Sequence, residues 1–198
     1  RRCRAAWRCG SGGAGTDANP FVISSAEDME KLAAENGFWK YSFALGTDID
    51  ISEAALTPIG NESVPFTGDF SGDGYAISGF TCNALENGLC GLFGVNEGSL
   101  DWITLEDVNI NITAEEANAG ALAAVNKGII SQCEAMGNIT IAGEYNNAGA
   151  IAAVNEAAGT IAGCFADCLI TAEGDLDAVS QVAGLNSGHI ESCYAEGT

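Results

Sequence analysis

The chain has 198 residues, 27 Asp and Glu against 7 Lys and Arg, and a formal net charge of −20. Four of the seven cations are Arg1, Arg2, Arg4 and Arg8, so from Asp17 onward only Lys31, Lys40 and Lys127 offset the acids. Such a surface repels nucleic acid and anionic membrane. No run of 18 apolar residues occurs, which excludes a helical membrane span, while 47% hydrophobic residues are enough for a large core.

Residues 1–19 read as a tail or linker, an expression remnant or a joint to a preceding domain. The segment RRCRAAWRCGSGGAGT lacks the apolar centre of a signal peptide. Cys3 and Cys9 could close a small disulfide loop there. A β-helix domain then covers 20–198, with a cap and irregular lead-in coils at 20–90 and regular repeats at 91–198. Pro20 to Ile23 is extended. Ser24 and Ser25 are N-cap candidates with Glu27 and Asp28 in the first turn. Met29, Leu32 and Ala33 mark one face of a helix that Gly37 ends. That helix is placed to cover the open end of a solenoid. Trp39, Tyr41, Phe43 and Leu45 alternate as a strand, followed by Ile49 and Ile51. Phe66 to Phe80 sets aromatic residues among Gly-Asp turns. Residues 81–90, with Cys82 and Cys90, read as a loop, and these two cysteines are the disulfide pair to test first.

From Gly91 the chain repeats itself four times. Asn96, Asn126, Asn155 and Asn186 each follow an aliphatic residue, at steps of 30, 29 and 31. Each is followed by a Gly (Gly98, Gly128, Gly159, Gly188), then by Leu100, Ile130, Ile161 or Ile190, and then by Ile103, Cys133, Cys164 or Cys193. A fixed period near 30 marks a stacked-repeat architecture. Ile139, Ile141 and Ile170 alternate with small polar residues, and helical periodicity is absent. A period of this length allows three short strands and three turns per coil, stacked in parallel. The fold class is therefore an all-β, right-handed parallel β-helix with an N-terminal capping helix, its hand taken from the crossover rule. Its interior should hold ladders of like residues. Asn96, Asn126, Asn155 and Asn186 would satisfy buried corner groups. Cys133, Cys164 and Cys193 would pack as small apolar rungs. The third copy carries two extra residues, Ala157 and Ala158, which predicts a bulged corner.

The pattern G-x-[LIV]-[AG]-x-N-x-G-x-I followed by Cys resembles the GLUG repeat of bacterial surface proteins, large adhesins and non-catalytic regions of secreted immunoglobulin A-specific metallopeptidases. The resemblance covers about residues 20–198. It implies a non-enzymatic structural or adhesive module, extracellular, at the bacterial cell surface or secreted. Its partners would be host extracellular protein or glycan and the neighbouring domains of a larger surface protein. A bacterial source would leave the glycosylation sequons at Asn61, Asn111 and Asn138 unused.

Candidate chemistry is sparse. Asp48, Asp50, Asp69 and Asp73 lie near Gly turns, and calcium is the ion they would suit. Their spacing matches neither an EF-hand nor the nonapeptide repeat, so no cofactor is assigned. A single histidine, His189, excludes a zinc peptidase motif. His189 and Cys193 on one strand would be too far apart for a catalytic pair. No catalytic residue is assigned, and the chain is read as not an enzyme. Two alternatives stand beside this reading: a glycoside hydrolase-like domain using paired Asp, and a spacer with no ligand. The chain stops mid-coil after Cys193, and continuation into further coils or another domain is expected.

Overall fold

A computed structural model of the chain describes residues 13–83, 88–174 and 177–196. The Cys3 and Cys9 pair lies outside them. The first part holds β1 (Phe21–Ile23), α1 (Ala26–Ala34), a 3-10 turn (Asn36–Phe38), β2 (Ser42–Leu45), β3 (Ile49–Asp50), β4 (Asp69–Ser71), β5 (Ala76–Ser78) and β6 (Thr81–Cys82). The first regular coil is β7 (Leu89–Cys90), β8 (Phe93–Asn96), β9 (Ser99–Asp101) and β10 (Thr104–Ile112). The second is β11 (Asn118–Gly120), β12 (Ala123–Asn126), β13 (Ile129–Ser131) and β14 (Glu134–Ile141). The third is β15 (Asn147–Gly149), β16 (Ala152–Asn155), β17 (Thr160–Ala162) and β18 (Phe165–Ala172). The fourth is β19 (Ala178–Ser180), β20 (Ala183–Asn186), β21 (His189–Glu191) and β22 (Tyr194–Glu196).

Like strands of successive coils pair in parallel to give two seven-stranded and two four-stranded sheets. This is a parallel β-solenoid of about five turns of roughly 29 residues each, with a single helix near the N-terminus among the described residues. Along β8, β12, β16 and β20 register is one residue to one: Val95 pairs with Val125, then Val154, then Leu185. Leu100, Ile130, Ile161 and Ile190 stack in the same way. Alternation along each strand sends one set of side chains inward, so Phe43, Phe70, Phe93, Ile77, Leu105 and Ile139 join one buried cluster.

Each coil carries four strands where three were expected. The extra break falls at Gly91, Gly120 and Gly149. A Cβ on Gly120 would lie 2.0 Å from the carbonyl oxygen of Ala123 and 2.5 Å from the backbone nitrogen of Ala153. The chain folds so tightly there that only a residue without a side chain fits. The two extra residues of the third copy form a turn closed by Gly159 N–H donating to Glu156 O at 2.8 Å. Register is regained at once, with Ile130 opposite Ile161.

Ser25 caps α1, its hydroxyl accepting from Asp28 N–H at 3.2 Å. Met29, Leu32 and Ala33 are buried in the main cluster. β1 is the outermost strand of its sheet, so α1 follows directly from the sheet's edge. Three local expectations are corrected. The helix ends at Ala34, and Gly37 sits inside the 3-10 turn that follows. Trp39 precedes the strand, because its indole N–H donates to Leu32 O at 2.7 Å and ties it to the helix. Part of 81–90 is strand rather than loop: β6 pairs with β10, and β7 with β11. Cys82 and Cys90 are joined by a disulfide.

Candidate functional site

Four classes of chemistry-bearing side chain are placed by this architecture, two inside and two outside. Inside, the Asn residues form a hydrogen-bonded column. Asn96 Nδ2 donates to Asn126 Oδ1 at 2.9 Å, Asn126 Nδ2 to Asn155 Oδ1 at 2.8 Å, and Asn155 Nδ2 to Asn186 Oδ1 at 2.8 Å. The same Nδ2 atoms reach corner carbonyls, as Asn126 does to Gly128 O at 3.2 Å and Thr160 O at 3.3 Å. Asn96, Asn126 and Asn155 are fully buried, where a side-chain amide must find partners within the protein. Asn186, on the last described coil, is exposed.

Cys133, Cys164 and Cys193 occupy equivalent positions one coil apart, each just before the paired residues Glu134, Phe165 and Tyr194. All three are free thiols, as is Cys168. Their Sγ atoms donate to backbone carbonyls: Cys133 to Ser131 O at 3.2 Å, Cys164 to Ala162 O at 3.5 Å and Cys193 to Glu191 O at 3.4 Å. Burial pushes the Cys133 thiol well above its ordinary range, and that of Cys168 up to about 11. These are poor nucleophiles. His189 Nε2 lies 3.2 Å from Glu191 Oε2.

Outside, Asp48 and Asp50 flank a shallow cleft of about 570 Å³. Its walls are the outward residues of three adjacent strands. Because Ile49, Ile77 and Leu105 point inward and are paired, their neighbours face out. Asp48, Ala76 and Thr104 line one side, and Asp50, Ser78 and Glu106 the other. The turn at Gly74 and Tyr75 completes the lining, with Tyr75 38% exposed. Asp48 Oδ1 accepts from Ala76 N–H at 3.0 Å, and Asp50 Oδ1 from Ser52 N–H at 2.9 Å. That backbone hydrogen bond holds the Asp50 carboxyl below its ordinary range. Beside Glu106 the ladder from β10 to β14 shifts register between Leu105 and Val108, and Asp107 takes φ 53°. A bulge there re-aims the strand next to the cleft.

Asp69 lies on a different face, in β4. Ser42 Oγ sits between Asp17 Oδ1 at 2.7 Å and Asp69 Oδ2 at 3.0 Å. Burial, with help from the neighbouring Asp17 and Asp101 carboxylates, raises the Asp69 carboxyl. The Ser42 hydroxyl lowers that of Asp17. One coil on, Asp101 accepts from both Ser99 Oγ and Ser131 Oγ. Asp73 occupies the left-handed turn before Gly74. Asp48 and Asp50 thus share the cleft, Asp69 lies in another sheet, and Asp73 sits in the turn between β4 and β5. Among the described residues no group of three or more His, Cys, Asp or Glu is arranged to share a metal ion. The sequence reading missed Tyr75, Ser78, Thr104 and Glu106 as cleft partners of Asp48 and Asp50. The alternation of Asp48-Ile49-Asp50 was the available signal; the partners come from strands 28 and 56 residues away, as the pairs Asp50–Ser78 and Ser78–Glu106 record.

No family model matches the chain, so the GLUG pattern rests on the repeat residues themselves. A candidate Gly-rich membrane protein of Evansella cellulosilytica is 33% identical over 128 residues, which cover 61% of this chain and 15% of that protein. Halomucin of Haloquadratum walsbyi is 26% identical over 141 residues, covering 63% of this chain and 2% of that protein. The chain therefore matches only a small part of these curated relatives. The crystal structure of a candidate immunoglobulin A1 protease from Bacteroides ovatus superposes with a TM-score of 0.76 at 24% identity, over 94% of this chain and 59% of that one. That likeness shows the fold, a parallel β-solenoid.

Proposed function

We propose that the chain is a non-enzymatic structural and adhesive module of a bacterial surface or secreted protein, displaying a flat solenoid face to host protein or glycan. The observation that carries this reading is the division of labour between inside and outside. The buried polar repeats, Asn96, Asn126 and Asn155, are bonded to each other and to corner carbonyls. The buried thiols Cys133 and Cys164 donate to backbone carbonyls. What the rod leaves for partners is its rigid outer surface. The matches to short parts of much longer proteins support a modular role. One of those proteins is named for a membrane and another is a halomucin, which supports an extracellular setting. No helix among the described residues is long and apolar enough to cross a membrane.

A hydrolase reading has one specific observation in its favour. Asp50 and Glu106 both pair with Ser78 from opposite sides, which puts their Cα atoms two strand spacings, about 10 Å, apart. That is near the wide carboxylate separation of inverting glycosidases. Against it, Asp50 is held ionised as an acceptor, and the described carboxyl with a raised pKa, Asp69, lies on a different sheet. The test is a glycan and matrix-protein binding array on the purified chain, with and without calcium, followed by analysis of the bound glycans. Saturable binding with intact ligand is expected. Release of shorter sugars would establish the hydrolase, and a blank array would leave a spacer. Calcium dependence would restore Asp48, Asp50, Asp69 and Asp73 as ligand candidates.

A further inference from the structure

We infer that the cleft between β3, β5 and β10 is a binding site for a neutral, hydroxyl-rich oligosaccharide. The inference rests on the display reading above and assigns it a place and a ligand class. The cleft volume of about 570 Å³ falls in the range of small-molecule sites, roughly 300–1,000 Å³. It is open and shallow, which suits a chain lying along a face rather than a compact metabolite. One part of the lining is aromatic. Tyr75 is 38% exposed, and a tyrosine offers a large contact area with a polar tip and little entropy to lose. Pyranose rings present C–H groups on their faces, which pack on such a ring.

The rest of the lining supplies hydrogen-bonding groups at fixed positions. Asp48 and Asp50 each have one carboxylate oxygen held by a backbone N–H, from Ala76 and Ser52. The second oxygen of each is an acceptor on an immobilised group. Ser78 and Thr104 add hydroxyls, and Glu106 adds a third carboxylate on the strand beside the bulge. Carboxylates accept well from paired sugar hydroxyls, because each bond is charge-assisted. Asp50, Ser78, Thr104 and Glu106 sit on paired strands, Tyr75 follows the tight turn at Gly74, and Asp48, just before β3, is held by the Ala76 N–H, so little ordering is required on binding.

The same lining defines what is refused. Among the described residues none that borders the cleft is Lys, Arg or His. A uronate, sulfate or phosphate group would meet Asp48, Asp50 and Glu106 with no cation to offset the repulsion. An anionic ligand is therefore refused.

Isothermal titration of the full chain with cellohexaose, xylohexaose, mannohexaose and laminarihexaose tests the assignment. Trigalacturonate and a glucosamine hexamer serve as charged comparisons. Binding of at least one neutral hexaose is expected, with no binding of trigalacturonate. Tyr75→Ala should weaken it about tenfold, Asp50→Asn should weaken it measurably, and Asp69→Asn should leave it unchanged. Melting curves of the Tyr75 and Asp50 variants, both at exposed positions, show whether the fold is kept. Flat titrations with all four neutral sugars overturn the assignment. So does tighter binding of the glucosamine hexamer, which would mean that charge rather than hydroxyl pairing drives recognition. Binding that survives both cleft substitutions places the sugar on another face: the cleft is then wrong while the display reading stands. Shortened sugars in the titration cell would sink the non-enzymatic reading itself.

Discussion

Replacing Asn126 by Ala removes the middle of the buried amide column. Asn126 Oδ1 accepts from Asn96, and its Nδ2 donates to Asn155 Oδ1 and to two corner carbonyls. The losses are unequal. Asn96 Nδ2 keeps Gly98 O and Ile129 O, at 3.4 and 3.3 Å. Among the described residues Asn155 Oδ1 keeps no donor, because Gly159 N–H, displaced by Ala157 and Ala158, bonds Glu156 O instead. One fully stranded buried acceptor costs about 1–3 kcal/mol, and the space left by the amide adds a cavity contribution. A total of about 2–4 kcal/mol follows, or a fall in Tm of roughly 5–15 °C for a chain of this size. Circular dichroism melts at neutral pH measure it. Asn186→Ala is the control: that residue is exposed, and about 1 kcal/mol or less is expected. Equal melting of the Asn126 variant and the parent, or equal losses in both variants, would refute the idea that buried amides hold the corners.

Asp69→Asn should raise Tm at neutral pH. The folded-state pKa of Asp69 is raised, so its ionised form costs stability above that pKa; the advantage of Asn should shrink as pH falls through it and Asp69 takes up a proton. Asp17 has the opposite sign, lowered by Ser42, and its contribution, present at neutral pH, is lost in acid as it protonates. Ellman's reagent should leave Cys133 and Cys164 unmodified in native buffer and titrate them in guanidinium; rapid native labelling of Cys133 would contradict its burial. Reducing the Cys82–Cys90 bond, which spans a sequence separation of 8, should cost roughly 2–3 kcal/mol by loop-closure entropy, seen as a lower Tm in dithiothreitol. Gly120→Ala should give little folded protein, since its Cβ overlaps backbone of Ala123 and Ala153.

The repeat, and with it the solenoid, was legible because each coil must present the same inward residue to the coil beneath. Asn, aliphatic and Cys positions recur at one period for that reason, and register follows from the pattern. The helix was legible from its Ser25 cap and the Met29, Leu32 and Ala33 face. Its end was not, since Gly37 takes no left-handed conformation and the chain turns earlier, at Glu35. The fourth strand per coil was hidden because Gly91, Gly120 and Gly149 read as ordinary turn residues until the close approach of neighbouring backbone is seen. The cleft was half legible. Outward residues of a solenoid carry no packing constraint, so nothing in the local sequence ties Asp50 to Ser78 and Glu106 across 28-residue steps.

The division between a structural interior and a functional exterior is most directly tested by a double comparison on one set of proteins. Parent, Asn126→Ala and Tyr75→Ala are each melted and each titrated, at a temperature where all are folded, with the neutral hexaose that binds the parent. The expected result is a crossed pattern: Asn126→Ala lowers Tm with affinity intact, and Tyr75→Ala lowers affinity with Tm intact. Loss of affinity in the buried variant at unchanged stability, or loss of stability in the Tyr75 variant, would contradict it.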